Sequence, residues 1–204
     1  EIGLVWWALG LVCRYFGLSQ AVTALVLCGA PYFLTGFLHL DGFMDVTDAV
    51  KSYRDLERRR EILKDSHVGS FAVIGCVLLI LAQFAFCVSF NLKTDFRMFL
   101  VIPVVSRCCS ALAVNGLPKM TTSQYARKKV RPADIWIPML FLAAALAFGF
   151  LLRFRCGLVL VVELAVYALA LLQSYRSLEG MNGDISGYCL TIGELAALGA
   201  LAIL

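Results

Sequence analysis

The chain has 204 residues, of which 61% are apolar and only 16% charged, and its mean hydropathy is +0.84. A soluble domain carries roughly 45–50% apolar and about 25% charged residues. So few charges cannot cover a surface that faces water, which excludes a soluble enzyme, a disordered regulator and a nucleic-acid binder. The net charge of +4 comes from 18 basic and 14 acidic residues. The composition is typical of a protein that crosses a membrane several times.

Apolar segments that reach or approach the length of a membrane span recur along the whole chain. Crossing a hydrocarbon core of roughly 30 Å takes about 17–25 helical residues, and uniform hydrophobicity without alternation favours helices over barrel strands. The segments are 2–16, 21–38, 71–90, 96–114, 135–152, 157–172 and 188–204, the first and the sixth being short. We therefore predict an all-α, polytopic helical membrane protein with about seven transmembrane segments, built as a single domain over residues 1–204. Because the chain opens inside an apolar stretch without a methionine, we also expect N-terminal residues to precede it.

Alternating spans sort the basic residues into two unequal groups. One side receives the loops 39–70, 115–134 and 173–187, and it holds Lys51, Arg54, Arg58, Arg59, Arg60, Lys64, Lys119, Arg127, Lys128, Lys129, Arg131 and Arg176. The other side, counted with the segment ends, holds Arg14, Lys93, Arg97, Arg153 and Arg155. Cytoplasmic loops of membrane proteins are the richer in Lys and Arg, so we predict that the first side faces the cytoplasm.

Three aspartates on that side follow the second apolar segment at helical spacing. Asp41, Asp45 and Asp48 stand at positions i, i+4 and i+7, which places them on one face of a helix with neighbours about 5–6 Å apart. Three carboxylates this close repel each other, and hard oxygen ligands at this spacing suit Mg²⁺ or Mn²⁺. Gly42 removes a side chain beside the first acid, which predicts room for a phosphate close to the backbone.

The same acids allow a simpler interpretation, in which a solvated helix end is balanced by Lys51 and Arg54. We favour metal binding because three acids share one stripe at a membrane boundary. His39 precedes them, and its sequence position allows three roles: metal ligand, phosphate partner or interfacial histidine.

A second stretch combines a basic run over residues 58–64 with the motif Asp65-Ser66-His67-x-Gly69. The apolar residues within the run predict a short amphipathic helix on the membrane surface, where basic side chains are attracted to anionic headgroups. The motif brings an acid, a hydroxyl and an imidazole to the start of the next span. Asp65 offers a further oxygen to the acidic cluster, and Gly69 permits close approach.

A glycine-rich turn over residues 180–187 leads into the last apolar segment. Backbone N–H groups of such a turn, together with a helix N-terminus, can bind phosphate, and Asp184 offers one more metal oxygen. The basic run 125–129 is open between holding a diphosphate and lying on lipid headgroups.

Three ionisable residues lie inside the apolar segments, where such groups are costly and usually face a cavity or a partner. Arg107 is placed to reach a substrate phosphate or to pair with Glu194 in the last segment. Glu163 has no evident partner, and we interpret it as structural.

These motifs resemble the cobalamin synthase family, the adenosylcobinamide-GDP ribazoletransferases, over nearly the whole chain. The resemblance rests on residues 38–48, 61–69, 125–127 and 183–195 and on Arg107. Two departures stand out. The family usually has arginine where this chain has His67, and it often has small residues and an acid after Gly187, where Tyr188, Cys189 and Thr191 stand here.

The resemblance implies the last step of cobalamin nucleotide-loop assembly, with Mg²⁺, at the cytoplasmic (inner) membrane of a prokaryote and with the active site facing the cytoplasm. The donor is adenosylcobinamide-GDP. The acceptor is α-ribazole or α-ribazole 5′-phosphate, whose 3′-hydroxyl attacks the phosphorus nearer the corrinoid, and GMP leaves. Membrane lipid is an expected partner, nucleic acid is not, and the formation of a homo-oligomer is left open.

The resemblance also implies roles for individual residues. The catalytic acids are Asp41, Asp45, Asp48 and Asp65, and the metal ligands are Asp41, Asp45, Asp65 and Asp184. Asp48 is open between a further ligand and the base that takes the 3′-hydroxyl proton. The substrate-binding residues are His39, Gly42, Lys64, Ser66, His67, Arg107, Arg127, Gly183, Asp184 and Gly187.

Two alternatives remain at this stage. A CDP-alcohol phosphotransferase of lipid synthesis does similar chemistry, but its D-x-x-D-G-x-x-A-R opening requires an acid where Leu38 stands and an alanine where Asp45 stands. A membrane transporter would place its acids near mid-membrane, whereas these acids are predicted at the membrane edge.

Overall fold

The computed structural model describes residues 1–91, 94–120, 123 and 129–204. In these residues the chain is helical, and the prediction of an all-α protein is confirmed. The helices in chain order are α1 (Ile2–Tyr15), α2 (Gln20–Leu34), α3 (Leu38–Lys51), α4 (Leu56–Ile62), α5 (Ser70–Val88), α6 (Met98–Gly116), α7 (Ala133–Leu152), α8 (Phe154–Leu178) and α9 (Gly183–Ile203).

Five of the described helices, α5 to α9, are long and apolar enough to cross a membrane. Together α2 and α3 make a sixth candidate only if the pair, bent by 87°, is counted as one span. With 14 residues α1 is shorter than a straight span requires. The polytopic helical membrane protein is therefore confirmed, with five or six candidate spans where the sequence predicts about seven. The sixth predicted segment, expected to be short, belongs to the 25-residue α8.

The bend between α2 and α3 has a local cause. Gly36 and Phe37 follow one another in the left-handed region, with φ of 58° and 63°. Two such residues cannot continue a right-handed helix, so α2 ends and α3 begins in a new direction. The three spaced aspartates consequently lie on a separate helix, not on an extension of the second span.

The bundle is organised around α9, which packs against α3, α5, α6 and α8. In the most apolar window of each helix, 56% of the residues of α6 and α9 are buried, against 22% for α5 and 11% for α7. Large apolar side chains of α7, such as Trp136 and Leu151, are exposed. Since their apolar character would be unfavourable in water, α5 and α7 are the helices that present the most surface to lipid.

Buried aromatic side chains tie the short α1 to the bundle. The indole of Trp6 is fully buried and donates a hydrogen bond to the Leu27 carbonyl oxygen over 2.9 Å. Its ring centroid lies 4.9 Å from that of Phe99 in α6. The fold leaves two opposite ends, which we name after their charged residues. The acidic end carries Asp41, Asp45, Asp48 and Asp184, and the arginine end carries Arg14, Arg97, Arg153 and Arg155.

Candidate functional site

Two glycines allow α3 and α9 to touch at the acidic end. A Cβ atom added at Gly42 would lie 2.9 Å from the Cα and carbonyl oxygen of Asp184, and one added at Gly187 would lie 3.2 Å from the same atoms of His39. Neither glycine tolerates a side chain without moving a backbone. The space predicted beside Gly42 for a phosphate is thus taken by α9, because Gly42 is buried against that helix. The two glycines serve helix packing and bring Asp184 to the acids of α3.

Four carboxylates gather where these helices meet. Asp45 is half-buried and lies within electrostatic range of Asp41, Asp48 and Asp184. Asp184 accepts a hydrogen bond of 2.7 Å from the side-chain amide of Asn182, which also caps α9. Among the described residues no lysine, arginine or histidine forms an ion pair with any of the four. The acidic end therefore has an excess of negative charge that the described side chains do not neutralise.

Carboxylate oxygens are the ligands that Mg²⁺ prefers, and four acids with no ion-pair partner among the described residues supply both the donors and the charge. In the described part of the chain no three His, Cys, Asp or Glu side chains converge closely enough to hold a metal ion as they stand. The residues therefore fit Mg²⁺ by donor chemistry and by charge, and their side chains would have to turn toward one another to bind it.

Asp48 differs from its neighbours because it has a structural partner. Its Oδ1 accepts a hydrogen bond of 3.4 Å from the backbone N–H of Ala72 in the first turn of α5. A Cβ atom at Gly69 would overlap the Asp48 carboxylate, so Gly69 provides the close approach predicted for it. A negative charge is stabilised at a helix N-terminus. This contact gives Asp48 a role in joining α3 to α5, whichever chemical role it also has.

A basic cavity of about 570 Å³ adjoins Asp184. It is lined by Arg60, Lys64 and Lys119 together with Glu179 and Asn182. Arg60 also donates to the carbonyl oxygens of Leu178 and Glu179, over 3.0 and 2.8 Å, which fixes α4 against the end of α8. Positive side chains here face the same space as an acid of the cluster, as a bound diphosphate requires.

Lys119 lines this cavity although the sequence motifs do not include it. It pairs with Met181 in an isolated bridge, where the N–H of Met120 donates to the Met181 carbonyl oxygen over 3.0 Å. The bridge brings the segment after α6 to the glycine-rich turn before α9. Nothing in the local sequence indicates this contact, because its partners are about sixty residues apart. Lys64 also lines the cavity, and its role in substrate binding stays a prediction. Gly183 is the first residue of α9.

The motif at 65–69 lies on the surface, where Asp65, Ser66 and His67 are all exposed. The Asp65 carboxylate accepts hydrogen bonds from the backbone N–H of His67, at 3.0 Å, and from its ring Nδ1, at 2.7 Å. These two bonds lower the pKa of Asp65. In the described residues Asp65 contacts none of the other four acids, so its metal-binding role stays a prediction. Arg127 lies outside the described residues.

Arg107 and Glu194 form the ion pair predicted as one alternative for Arg107. The Glu194 carboxylate also accepts a hydrogen bond of 2.8 Å from Ser106. Within the described structure, Nε and Nη2 of Arg107 are buried without a hydrogen-bond partner. The fully buried Glu163 lies within electrostatic range of this pair, so it has neighbours that the sequence does not reveal.

His39 lines a small cavity inside the bundle together with Arg107 and Glu194. Its backbone carbonyl accepts a 3.3 Å hydrogen bond from the Thr191 hydroxyl of α9. The structure thus groups His39 with the buried pair. Of the residues predicted for the site, Asp41, Asp45, Asp48 and Asp184 come together, with Lys64 beside them.

The fold and this site define a class of protein, a helical membrane protein in which acidic and basic side chains suited to phosphate chemistry meet at one end of the bundle. The chain belongs to the cobalamin-5-phosphate synthase (CobS) family, whose model matches residues 1–202. No solved structure matches the chain.

Curated relatives agree with this family. The chain is 34% identical over 209 residues to the adenosylcobinamide-GDP ribazoletransferase of Clostridium perfringens strain SM101, an alignment that covers 100% of this chain and 83% of the relative. It is 32% identical over 204 residues to the protein of that name from Clostridium botulinum strain Alaska E43, covering 97% and 80% of the two chains. The protein of that name from Geobacillus kaustophilus is 32% identical over 199 residues, covering 91% and 74%.

Proposed function

We propose that this chain is an adenosylcobinamide-GDP ribazoletransferase that acts on α-ribazole or its 5′-phosphate. The observation that carries the proposal is a cluster of four carboxylates, unpaired among the described residues, beside a cavity lined by Arg60, Lys64 and Lys119. Relatives with that printed name match the chain over nearly its whole length. The comparisons favour neither a lipid phosphotransferase nor a transporter.

The proposed reaction replaces the phosphoanhydride bond of the donor with a new phosphate ester bond. The ribazole 3′-oxygen forms a bond to the phosphorus nearer the corrinoid, and the bond from that phosphorus to the bridging oxygen of the diphosphate breaks. GMP leaves with that oxygen, and the hydroxyl proton passes to a base. The products are GMP and adenosylcobalamin or its 5′-phosphate.

The side chains at the acidic end suit the binding that this reaction needs. The cations of the basic cavity would hold the negatively charged diphosphate beside Asp184, and charge-assisted hydrogen bonds are the strong ones for this purpose. Mg²⁺ would be held by Asp41, Asp45 and Asp184, and when bound it neutralises charge on the departing phosphate. Asp48, fixed against α5, would keep the acidic stripe of α3 aligned with α9.

We also propose that the protein resides in the inner membrane with the acidic end toward the cytoplasm. The basic residues predicted on that side number twelve against five, and an excess of this kind marks cytoplasmic loops. The relatives named above come from bacteria, which supports a prokaryotic membrane. Lipid contact follows from the exposed apolar faces of α5 and α7.

The test is a turnover assay on the protein in nanodiscs with adenosylcobinamide-GDP, α-ribazole 5′-phosphate and Mg²⁺. GMP and the corrinoid product are followed by mass. We expect product that disappears with EDTA and with Asp41→Asn. The matched control is Asp95→Asn, which removes an acid at the opposite end and should leave turnover unchanged. Folded protein that releases no GMP, yet turns over a CDP-alcohol with a lipid donor, would overturn the proposal.

A further inference from the structure

A large cavity lies at the arginine end, on the opposite side of the bundle from the acids. Its volume is about 710 Å³. Four arginines line it, one from the end of α1, one from the turn before α6 and two from the junction of α7 and α8. They are Arg14, Arg97, Arg153 and Arg155. Nothing in the proposed reaction uses this cavity.

The described side chains that line the cavity include four arginines and one acid. Its described acid, Asp95, is already held by Arg97 through hydrogen bonds of 2.6 and 2.9 Å. The guanidinium of Arg153 forms no hydrogen bond or ion pair with a described residue, although it interacts with Asp95 at longer range. Arginines grouped without matching acids repel each other, and an anion between them would relieve that repulsion.

Two of the other arginines, Arg14 and Arg155, make contacts of their own. The Arg14 guanidinium lies 4.1 Å from the centroid of the Phe96 ring, a cation–π contact. Arg155 donates to the carbonyl oxygen of Leu204 over 2.5 Å. Both contacts orient a guanidinium group at the cavity.

Exposed aromatic residues indicate the depth of the cavity in the membrane. Tyr15 and Phe16 at the end of α1 and Phe154 at the start of α8 are 85%, 69% and 70% exposed. Aromatic side chains concentrate at the headgroup level of a bilayer. The cavity also has an apolar wall that includes Val159 and Leu201. It therefore presents guanidinium groups at headgroup depth beside a surface that suits an acyl chain.

We propose that this cavity binds the phosphate of an anionic phospholipid. Arginine is suited to phosphate because its planar guanidinium can donate two parallel hydrogen bonds. The apolar wall and the aromatic level favour a lipid over a soluble anion, which would gain nothing from either. Arg153, with no competing partner among the described residues, is the expected main contact.

The test compares lipids retained by the protein in nanodiscs made from equal amounts of phosphatidylcholine and phosphatidylglycerol. Native mass spectrometry counts the lipids that stay bound after the protein is released from the nanodisc. We expect the unchanged protein to retain phosphatidylglycerol preferentially, and Arg153→Gln to reduce this retention about tenfold, the loss typical of one charge-assisted hydrogen bond. Arg153→Lys keeps the charge and should retain more lipid than Arg153→Gln.

Arg176→Gln is the matched control, because it removes the same charge from the exposed opposite end of α8. An equal loss in Arg176→Gln and Arg153→Gln would overturn the site, since it would indicate diffuse attraction between basic residues and the bilayer. A second arm adds inorganic phosphate to protein in pure phosphatidylcholine. The lipid would be overturned as the ligand by two results together. Free phosphate would bind in this arm and be lost in Arg153→Gln, and the first arm would show no preference for phosphatidylglycerol. Should Arg153→Gln fail to fold, Arg155→Gln tests the same cavity.

Discussion

The two ends of the bundle treat their acidic residues in opposite ways. At the arginine end Arg97 donates two hydrogen bonds to the Asp95 carboxylate. At the acidic end Asp41, Asp45 and Asp184 have no basic partner among the described residues, although they crowd together. Paired charges cost a fold little, whereas a group of like charges lowers stability unless a ligand compensates it. The difference is that the arginine end pairs its described acid, whereas the acidic end offers the unpaired carboxylates that the proposed binding of Mg²⁺ requires.

Asp45→Asn should produce the largest change, because Asp45 interacts electrostatically with all three other acids at this end. We expect turnover to fall about a thousandfold, as the loss of a metal-binding group in a reaction of this type would cause. Thermal stability should stay the same or rise, since one repelling charge is removed. Assays of turnover and of thermal unfolding check both parts. Loss of folding together with activity would show that Asp45 is structural.

Breaking the Arg107–Glu194 ion pair inside the bundle tests how much a paired charge contributes to stability. Glu194→Gln removes the ion-pair partner of Arg107, which is partly buried beside Ser106. We expect a loss of stability of about 3 kcal/mol, the lower end of the range for removing one member of a buried pair, because Arg107 is only partly buried. Denaturation in detergent measures it. Glu61→Gln, which removes the partner of the exposed Arg58, is the control and should leave stability unchanged.

Gly42→Ala should separate the acids without altering any charge. The added methyl would lie 2.9 Å from the Asp184 backbone, so α3 and α9 must move apart. Overpacking of this kind costs about 1–3 kcal/mol, and turnover should fall with it. Gly116→Ala is the matched control, because its added methyl meets nothing within 4 Å. Equal behaviour of the two variants in thermal unfolding and turnover would contradict the close contact between these helices.

Asp65→Asn should have the smallest effect, if its separation from the acidic cluster holds during the reaction. The hydrogen bonds from His67 lower the pKa of Asp65 below its ordinary value of 3.8. These bonds therefore stabilise the folded protein fully above pH 3.8, and their contribution is lost as the pH falls through the lowered pKa. At neutral pH we expect turnover to fall no more than about tenfold, the lower limit for removing a group that does not itself bind the metal. A loss as large as that of Asp45→Asn would show that Asp65 joins the metal ligands. Parallel turnover assays of the two variants decide this.

Local patterns in the sequence were enough to predict the type of fold and the acidic stripe. Helical periodicity places Asp41, Asp45 and Asp48 on one face whatever the rest of the chain does, and α3 carries all three. The apolar runs likewise predict helices, because a membrane satisfies backbone groups only within such elements. The short helix predicted near the basic run is α4. The predicted number of spans, about seven, is higher than the five or six that the structure has. One reason is that two left-handed residues, at 36–37, end α2 before it is long enough to cross a membrane.

The amino-acid sequence by itself determined that the chain is a set of membrane helices and that three acids share a stripe, because both depend on residues a few positions apart. Only the tertiary structure decided which distant groups join them. It placed Asp184 against Gly42, brought Lys119 to the turn at Met181, and left Asp65 with His67. The contacts of Asp184 and Lys119 join residues far apart in the chain, for which no local pattern carries a signal. The Asp65–His67 contact is local, and only the packing of the helices decides that it lies apart from the acidic cluster.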